Sequence, residues 1–294
     1  MGKLTVLAGV AFTLVTLPLH WRGSAIVVDP DYTMETLALD RDVGAVDGLR
    51  WRQGWLYLAS EGSSAVYRAD VRGHVELLAA RDDGIASPED LIVDDSGDVF
   101  FTDDDAGGLW RLRPGERAKR IDAPDCALAA TEGIAELPSG QLLVGDAVSG
   151  RIVVLTREGR QAEIWKLAGV SKPESIAVAD RGRTYVADDP SGRVWRRNAD
   201  GTTAIVVDRG DGLKEPETLL YDAGVLYIVD NVAGRLLRYR EGRPVQPIAQ
   251  FAGRLQNIQG IAADSAGNLY LSVQADLARN QGYLLKLVRR SPAG

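Results

Sequence analysis

Acidic residues recur at regular intervals along the chain, and they are the side chains best suited to chemistry. Six positions spaced 42 or 43 residues apart carry five carboxylates and one amide: Asp47, Glu89, Glu132, Glu174, Glu217 and Gln259. Converging carboxylates repel one another, and burying them unpaired is costly. We therefore expect a cation among them: a metal ion, a basic side chain or a cationic substrate. The alternative is that raised pKa values and water neutralise the carboxylates without a cation. Oxygen ligands without histidine suit a hard divalent cation, calcium before magnesium or manganese.

A second set of acids follows the second apolar run of the middle repeats. Its members are Asp103, Asp146, Asp188 and Asp230. We predict that they form a wider tier at the same site and bind substrate. The alternative is structural, because aspartate at the end of a strand often accepts backbone N–H bonds from the next turn. The residue pattern leaves both interpretations open.

Other kinds of site are disfavoured by composition. The chain has two histidines and one cysteine. His20 lies in an apolar segment and His74 in a short turn without a nucleophile motif, which argues against a Ser–His–Asp triad. Cys126 alone cannot form an intrachain disulfide or a cysteine-rich zinc site. Acids outnumber bases 41 to 34, giving a net charge of −7, which argues against nucleic acid as a partner.

The spacing of the acids reflects an internal repeat that must position them. Each unit holds four short β-branched or aromatic runs separated by Gly and Asp turns. Four strands every 42 or 43 residues are typical of a propeller blade. We predict an all-β, six-bladed β-propeller over residues 33–290, with four-stranded blades whose first strands line a central channel. The six equivalent positions from Asp47 to Gln259, here called the ring, then meet at one mouth of that channel.

The ends of the chain predict how the propeller closes. The sixth repeat has three strand-like runs and no fourth before Gly294. Met34–Leu39 can supply the missing strand from the N-terminal side. We therefore predict a circle closed by an N-terminal strand, which covers edges that would otherwise promote aggregation.

The first 25 residues have the pattern of a targeting segment. Lys3 precedes an apolar run over residues 4–19, and small residues follow. The run is slightly short for a membrane-spanning helix, although Trp21 and Arg22 would suit an uncleaved anchor. A buried helix of the domain is the third interpretation. We expect export, and hence a periplasmic or secreted protein that is anchored to the membrane if the segment is not cleaved.

The repeat resembles a known superfamily. Pro173-Glu174-Ser175-Ile176-Ala177-Val178, with Tyr185-Val186-Ala187-Asp188, resembles NHL-type repeats and the gluconolactonase/regucalcin-like superfamily, which is related to paraoxonases and strictosidine synthase-like proteins. The resemblance spans about residues 33–290. It implies a catalytic calcium ion at the channel mouth, held by the opening positions of selected blades. Carried onto this chain, those positions are Asp47, Glu132, Glu174 and Glu217. None is asparagine, which the superfamily uses at some of them, so this site is more acidic.

Several functions are consistent with these features. The first is a calcium-dependent hydrolase of lactones or related esters, in which the metal polarises the carbonyl of a small-molecule substrate. Glu89 would be the general base, or else a turn acid or further metal ligand. The second is a non-catalytic extracytoplasmic propeller that binds a protein or small molecule. The third is a strictosidine synthase-like condensing enzyme. We expect a monomer, and the fold alone does not select among the three functions.

Overall fold

The computed structural model describes residues 13–14 and 23–290. Three strands precede the first repeat: β1 (Thr13–Leu14), β2 (Gly23–Val27) and β3 (Tyr32–Thr36). The next twelve strands form the first three blades: β4 (Leu49–Arg52), β5 (Trp55–Ser60), β6 (Ala65–Asp70) and β7 (Val75–Ala79); β8 (Pro88–Val93), β9 (Val99–Asp103), β10 (Leu109–Leu112) and β11 (Lys119–Ile121); β12 (Thr131–Glu136), β13 (Leu142–Asp146), β14 (Arg151–Leu155) and β15 (Gln161–Trp165).

The remaining strands complete the predicted propeller. They are β16 (Pro173–Val178), β17 (Thr184–Asp188), β18 (Arg193–Arg197) and β19 (Thr203–Val207); β20 (Pro216–Asp222), β21 (Val225–Asp230), β22 (Arg235–Tyr239) and β23 (Gln246–Gly253); β24 (Ile258–Ala263), β25 (Leu269–Asp276) and β26 (Gln281–Arg289). Single-turn 3-10 helices lie in the loops at Arg81–Asp83, Asp180–Gly182, Arg209–Asp211 and Leu277–Arg279. The strands pair into six antiparallel sheets, so the predicted six-bladed, all-β architecture is confirmed.

The core lies between the blades. The second strands β9, β13, β17 and β21 are buried along their whole length, because each lies between two strands of its own sheet and packs against adjacent blades. This explains why they read as short, nearly continuous apolar runs rather than as alternating ones. Each of the four ends in an aspartate, so the same strands deliver a buried acid to the mouth side of the propeller.

The N-terminal closing strand is confirmed, with shifted bounds. β3 pairs with β26 in a register that puts Met34 opposite Leu287 and Thr36 opposite Leu285. We predicted Met34–Leu39; the strand is Tyr32–Thr36, and Leu37 adds one hydrogen bond to the Leu284 carbonyl. Beyond it the chain leaves the sheet, and the apolar side chains at 37 and 39 pack against the core shared by the first and sixth blades.

The fifth blade carries extra strands that were not predicted. β2 pairs with the outer strand β23, and β1 pairs with β2, giving a six-stranded sheet. Ala25 and Val27 are buried in the core. The signal or anchor predicted for residues 1–25 falls largely on residues 1–12 and 15–22, which lie outside the described residues. Within the described part of the chain, no helix has the length and apolar character needed to cross a membrane.

Two glycines allow the inner strands of adjacent blades to approach closely. A Cβ atom on Gly260 would lie 2.1 Å from the carbonyl oxygen of Asp47, and one on Gly48 would lie 2.4 Å from that of Glu89. Backbone of one blade therefore contacts backbone of the next at the channel mouth. Glycine is required at these positions by space rather than by an unusual backbone angle.

We predict that Gly260→Ala lowers the free energy of unfolding by about 2–4 kcal/mol, because the added methyl group must push two backbones apart. Urea unfolding monitored by fluorescence measures the change. Gly210→Ala is the control, since its Cβ would meet only the Asp208 carboxylate, so its cost is limited to the exposed hydrogen bond that this carboxylate accepts from Gly210. Equal stability of the two variants would contradict the close contact.

Candidate functional site

The ring acids are placed at the channel mouth by a repeated strand geometry. Pro88, Pro173 and Pro216 each lie opposite the last residue of the second strand, and a register shift follows in every case. Because of this shift, the acid that follows each proline is not paired in the regular register of the strand. As a result, Glu89, Glu174 and their equivalents lie close enough to raise one another's pKa values.

A lysine that we did not predict lies among these acids. Lys172 Nζ is 2.6 Å from Glu174 Oε2 and 3.3 Å from Glu132 Oε1. It immediately precedes Pro173, one position before the stretch that we compared between repeats. The corresponding residues of the other repeats are Ala45, Ser87, Ala130, Glu215 and Asn257. Extending the comparison by one residue would have identified Lys172 as the basic member of the set.

Amide side chains of the sixth blade complete the mouth. Gln274 Nε2 donates hydrogen bonds to Asp47 Oδ1 at 2.6 Å and to Glu61 Oε2 at 3.3 Å. Gln274 Oε1 accepts from Gln259 Nε2 at 3.1 Å and from Asn257 Nδ2 at 3.3 Å. Asp47 Oδ2 and Gln259 Oε1 are buried without a hydrogen-bond partner among the described residues. Both atoms are acceptors, so this side of the mouth is suited to a cation or a hydrogen-bond donor.

Burial and mutual repulsion perturb the acids strongly. Burial raises the pKa of Asp47, Glu89 and Glu174 well above the usual range, and neighbouring carboxylates raise these pKa values further. Burial also raises the pKa of Glu217 to about 7, although Lys172 acts in the opposite direction. Without an added cation, the ring therefore holds protons near neutral pH that isolated carboxylates would release.

The four aspartates of the second tier point to the loops. All four are buried, and their carboxylates accept bonds from nearby loops or pair with arginine. Asp103 accepts from the backbone of Ala86 and Ser87 at 2.8 and 3.0 Å. Asp146 binds Ser149 Oγ at 2.8 Å and Arg151 Nε at 3.2 Å. These contacts are the ones expected from the structural alternative for this tier.

Asp188 and Asp230 hold the loops that precede their blades. Asp188 Oδ1 accepts from the backbone N–H of Lys172 at 2.8 Å, so this acid fixes the backbone of the lysine in the ring. Asp230 Oδ1 accepts from the N–H of Glu215 at 3.0 Å, and its Oδ2 pairs with Arg235 Nη2 at 2.6 Å. The two aspartates therefore hold in place the backbone that leads into the ring positions Glu174 and Glu217.

The donor set of the ring fits a hard divalent cation in charge and in chemistry. Carboxylate oxygens predominate, and Asp47 Oδ2 and Gln259 Oε1 are buried acceptors in need of a partner. As the side chains lie, no three His, Cys, Asp or Glu residues of the described chain are grouped as metal ligands. Lys172 contacts Glu132 and Glu174, so these two acids can serve as ligands only if the ammonium moves away.

Comparisons with known proteins support the fold. No protein-family model and no curated protein matches the chain. A solved gluconolactonase candidate is 13% identical, with a TM-score of 0.69, covering 94% of this chain and 98% of that chain. An inactive virginiamycin B lyase variant from Staphylococcus aureus, solved with quinupristin, is 15% identical, with a TM-score of 0.67, covering 87% and 99% of the two chains. A luciferin-regenerating enzyme is 13% identical, with a TM-score of 0.68, covering 87% and 95%. The expected likeness to gluconolactonase-like propellers is thus confirmed for the fold.

Proposed function

We propose that the protein is a divalent-cation-dependent hydrolase of lactones or related small-molecule esters, acting at the acidic channel mouth. One observation carries this proposal: the mouth contains more carboxylates than basic groups to balance them. Six of its carboxyl groups are those of Asp47, Glu61, Glu89, Glu132, Glu174 and Glu217. Within the described part of the chain, only Glu132 and Glu174 of these six form salt bridges, and both pair with Lys172. A divalent cation would offset the excess charge.

Calcium is the cation that the oxygen donors favour. It would be held by Asp47, Glu132, Glu174 and Glu217, and would supply Lewis acidity toward the substrate carbonyl. Glu89 would accept the proton of the attacking water. Its Oε1 receives a hydrogen bond from Ser87 Oγ at 3.2 Å, which restricts the orientation of the carboxylate. A carboxyl group whose pKa is raised is suited to proton transfer near neutral pH.

Two neighbouring structures support a small-molecule substrate by analogy: the gluconolactonase candidate and the virginiamycin B lyase solved with quinupristin. We further propose that the protein acts outside the cytoplasm as a monomer. The signal or membrane anchor predicted for residues 1–25 would then end before Gly23, where the strand that pairs with β23 begins. The competing function is a non-catalytic binding protein. The ion pairs of Lys172 favour it, because they neutralise part of the ring without a metal.

A screen of lactones and aryl esters with added calcium tests the hydrolase. We expect hydrolysis that a chelator abolishes and calcium restores. Glu89→Gln should lower kcat by about 100-fold, because the amide cannot accept the proton, and should keep a calcium-dependent rise in Tm. Glu158→Gln, which changes an exposed turn acid, is the matched control and should retain full activity. Chelator-insensitive hydrolysis would exclude the metal-dependent mechanism. No hydrolysis together with no response to divalent ions would favour the binding protein.

A further inference from the structure

Lys172 lies at the channel mouth between the acids of the third and fourth blades. Besides its contacts with Glu174 and Glu132, its Nζ lies 4.0 Å from Asp189 Oδ2. The side chains of Glu132 and Glu174 are 9% and 8% exposed, whereas those of Asp189 and Lys172 are 23% and 34% exposed. The ammonium therefore lies between two deeply buried acids on one side and a more exposed acid on the other.

The backbone of this lysine is held by hydrogen bonds, whereas its side chain is partly exposed. Asp188, which is fully buried, accepts the N–H groups of both Ser171 and Lys172 at 2.9 and 2.8 Å. Pro173 follows and restricts the backbone further. The four-carbon stem of lysine is flexible and carries a compact charge. Movement of the ammonium is therefore possible by side-chain rotation alone, without disturbing the blade.

We infer that Lys172 is a tethered counter-ion that exchanges with the divalent cation. This inference rests on the proposed function, because it assumes that Glu132 and Glu174 become ligands. In the metal-free protein the ammonium stabilises these two acids. When the cation binds, the like charge of the ammonium is repelled at close range, and Lys172 moves to the exposed side of the mouth. Asp189 receives it there, because its Oδ2 already lies 4.0 Å from the ammonium and its side chain is more exposed than those of Glu132 and Glu174.

The exchange makes Lys172 a competitor for the metal site. Calcium must displace an ammonium that is held by two buried carboxylates, so part of its binding free energy is spent on that displacement. Removing the ammonium should therefore tighten calcium binding and, at the same time, destabilise the metal-free protein. A lysine with a purely structural role would cause only the second effect.

Calorimetric titration of the full-length, chelator-treated protein with calcium chloride tests the competition. We expect Lys172→Met to lower the Kd for calcium by about tenfold, because methionine keeps the apolar stem and removes the charge. Lys214→Met is the matched control. The backbone N–H of Lys214 is also held by a buried aspartate, Asp230, but at 3.3 Å and in the next blade. Its Kd for calcium should equal that of the wild type.

A second measurement does not depend on a variant. Acetylation of wild-type lysines, followed by mass spectrometry, reports how accessible each ammonium is. We expect the rate at Lys172 to rise several-fold when calcium is added, while Lys214 serves as the internal reference and stays constant. This readout remains decisive even if Lys172→Met does not fold.

The outcomes separate the two proposals. Calcium that binds wild type and Lys172→Met with equal affinity, or that leaves the acetylation rate at Lys172 unchanged, overturns the exchange and leaves the metal site standing. Failure of both proteins to bind calcium overturns the proposed metal site, and the exchange with it. Tighter binding by Lys172→Met together with faster acetylation at Lys172 supports the exchange.

Discussion

Asp230→Ala is expected to lower the free energy of unfolding by about 3 kcal/mol, because it removes one partner of a buried ion pair. The Asp230 carboxylate is fully buried, accepts the N–H of Glu215 and pairs with Arg235. Alanine would leave the N–H of Glu215 without its acceptor and the Arg235 guanidinium with only the Gly212 carbonyl as a partner. It would also free the loop that leads into the fifth blade. Urea unfolding at neutral pH gives the change directly.

Two further variants define what this result means. Asp230→Asn keeps an acceptor oxygen but loses the charge, so we expect a smaller loss of about 1–2 kcal/mol. Asp222→Ala changes an exposed acid of the same blade and should stay within about 0.5 kcal/mol of the wild type. If Asp230→Ala instead keeps its stability and raises the KM for a substrate, the aspartate has the substrate-binding role predicted from sequence rather than the structural one.

The fold could be predicted because a propeller repeats its sequence. Strands, turns and the ring acids recur at the same spacing, so each repeat supports the interpretation of the others. Residues that occur once had no such support. The strand Gly23–Val27 adds to the fifth blade although no equivalent exists in the other repeats. The end of the closing strand was placed too late because Leu37 and Leu39 look like strand residues and pack against the core as loop residues.

The site was predictable in outline for the same reason. The opening position of the first strand lies at the same mouth in every blade, so any side chain at this position is placed there. Lys172 and Gln274 decide which acids are paired, and each occurs in a single blade. For the second tier, the position of Asp188 at a strand end could be predicted from the repeat. It did not reveal which way the preceding loop turns, and that loop supplies the hydrogen-bond donors.

The ring should also make stability depend on pH. Calcium should reverse the effect that a substitution of Glu217 has on stability at high pH. The pKa of Glu217 is about 7 in the folded protein, against an ordinary value of 4.5. The folded state therefore binds this proton more tightly than the unfolded state. It follows that the contribution of Glu217 to stability is most favourable at low pH and falls as the pH rises from about 4.5 to about 7. Glu217 keeps some exposure to solvent, so we expect this group to contribute a loss of about 2 kcal/mol.

Glu217→Gln should remove this loss, because glutamine resembles the protonated acid. In chelator, the variant and the wild type should be equally stable near pH 4, and the variant should be more stable by about 2 kcal/mol at pH 8. In excess calcium at pH 8 the order should reverse, since the wild type gains about 2.7 kcal/mol when calcium is at 100 times its Kd and the variant has lost a ligand. Urea unfolding of both proteins in chelator at pH 4, in chelator at pH 8 and in calcium at pH 8 measures these stabilities. A variant that is more stable under both conditions at pH 8 would mean that the ring is neutralised by its own protons and by Lys172, and that it holds no calcium at Glu217.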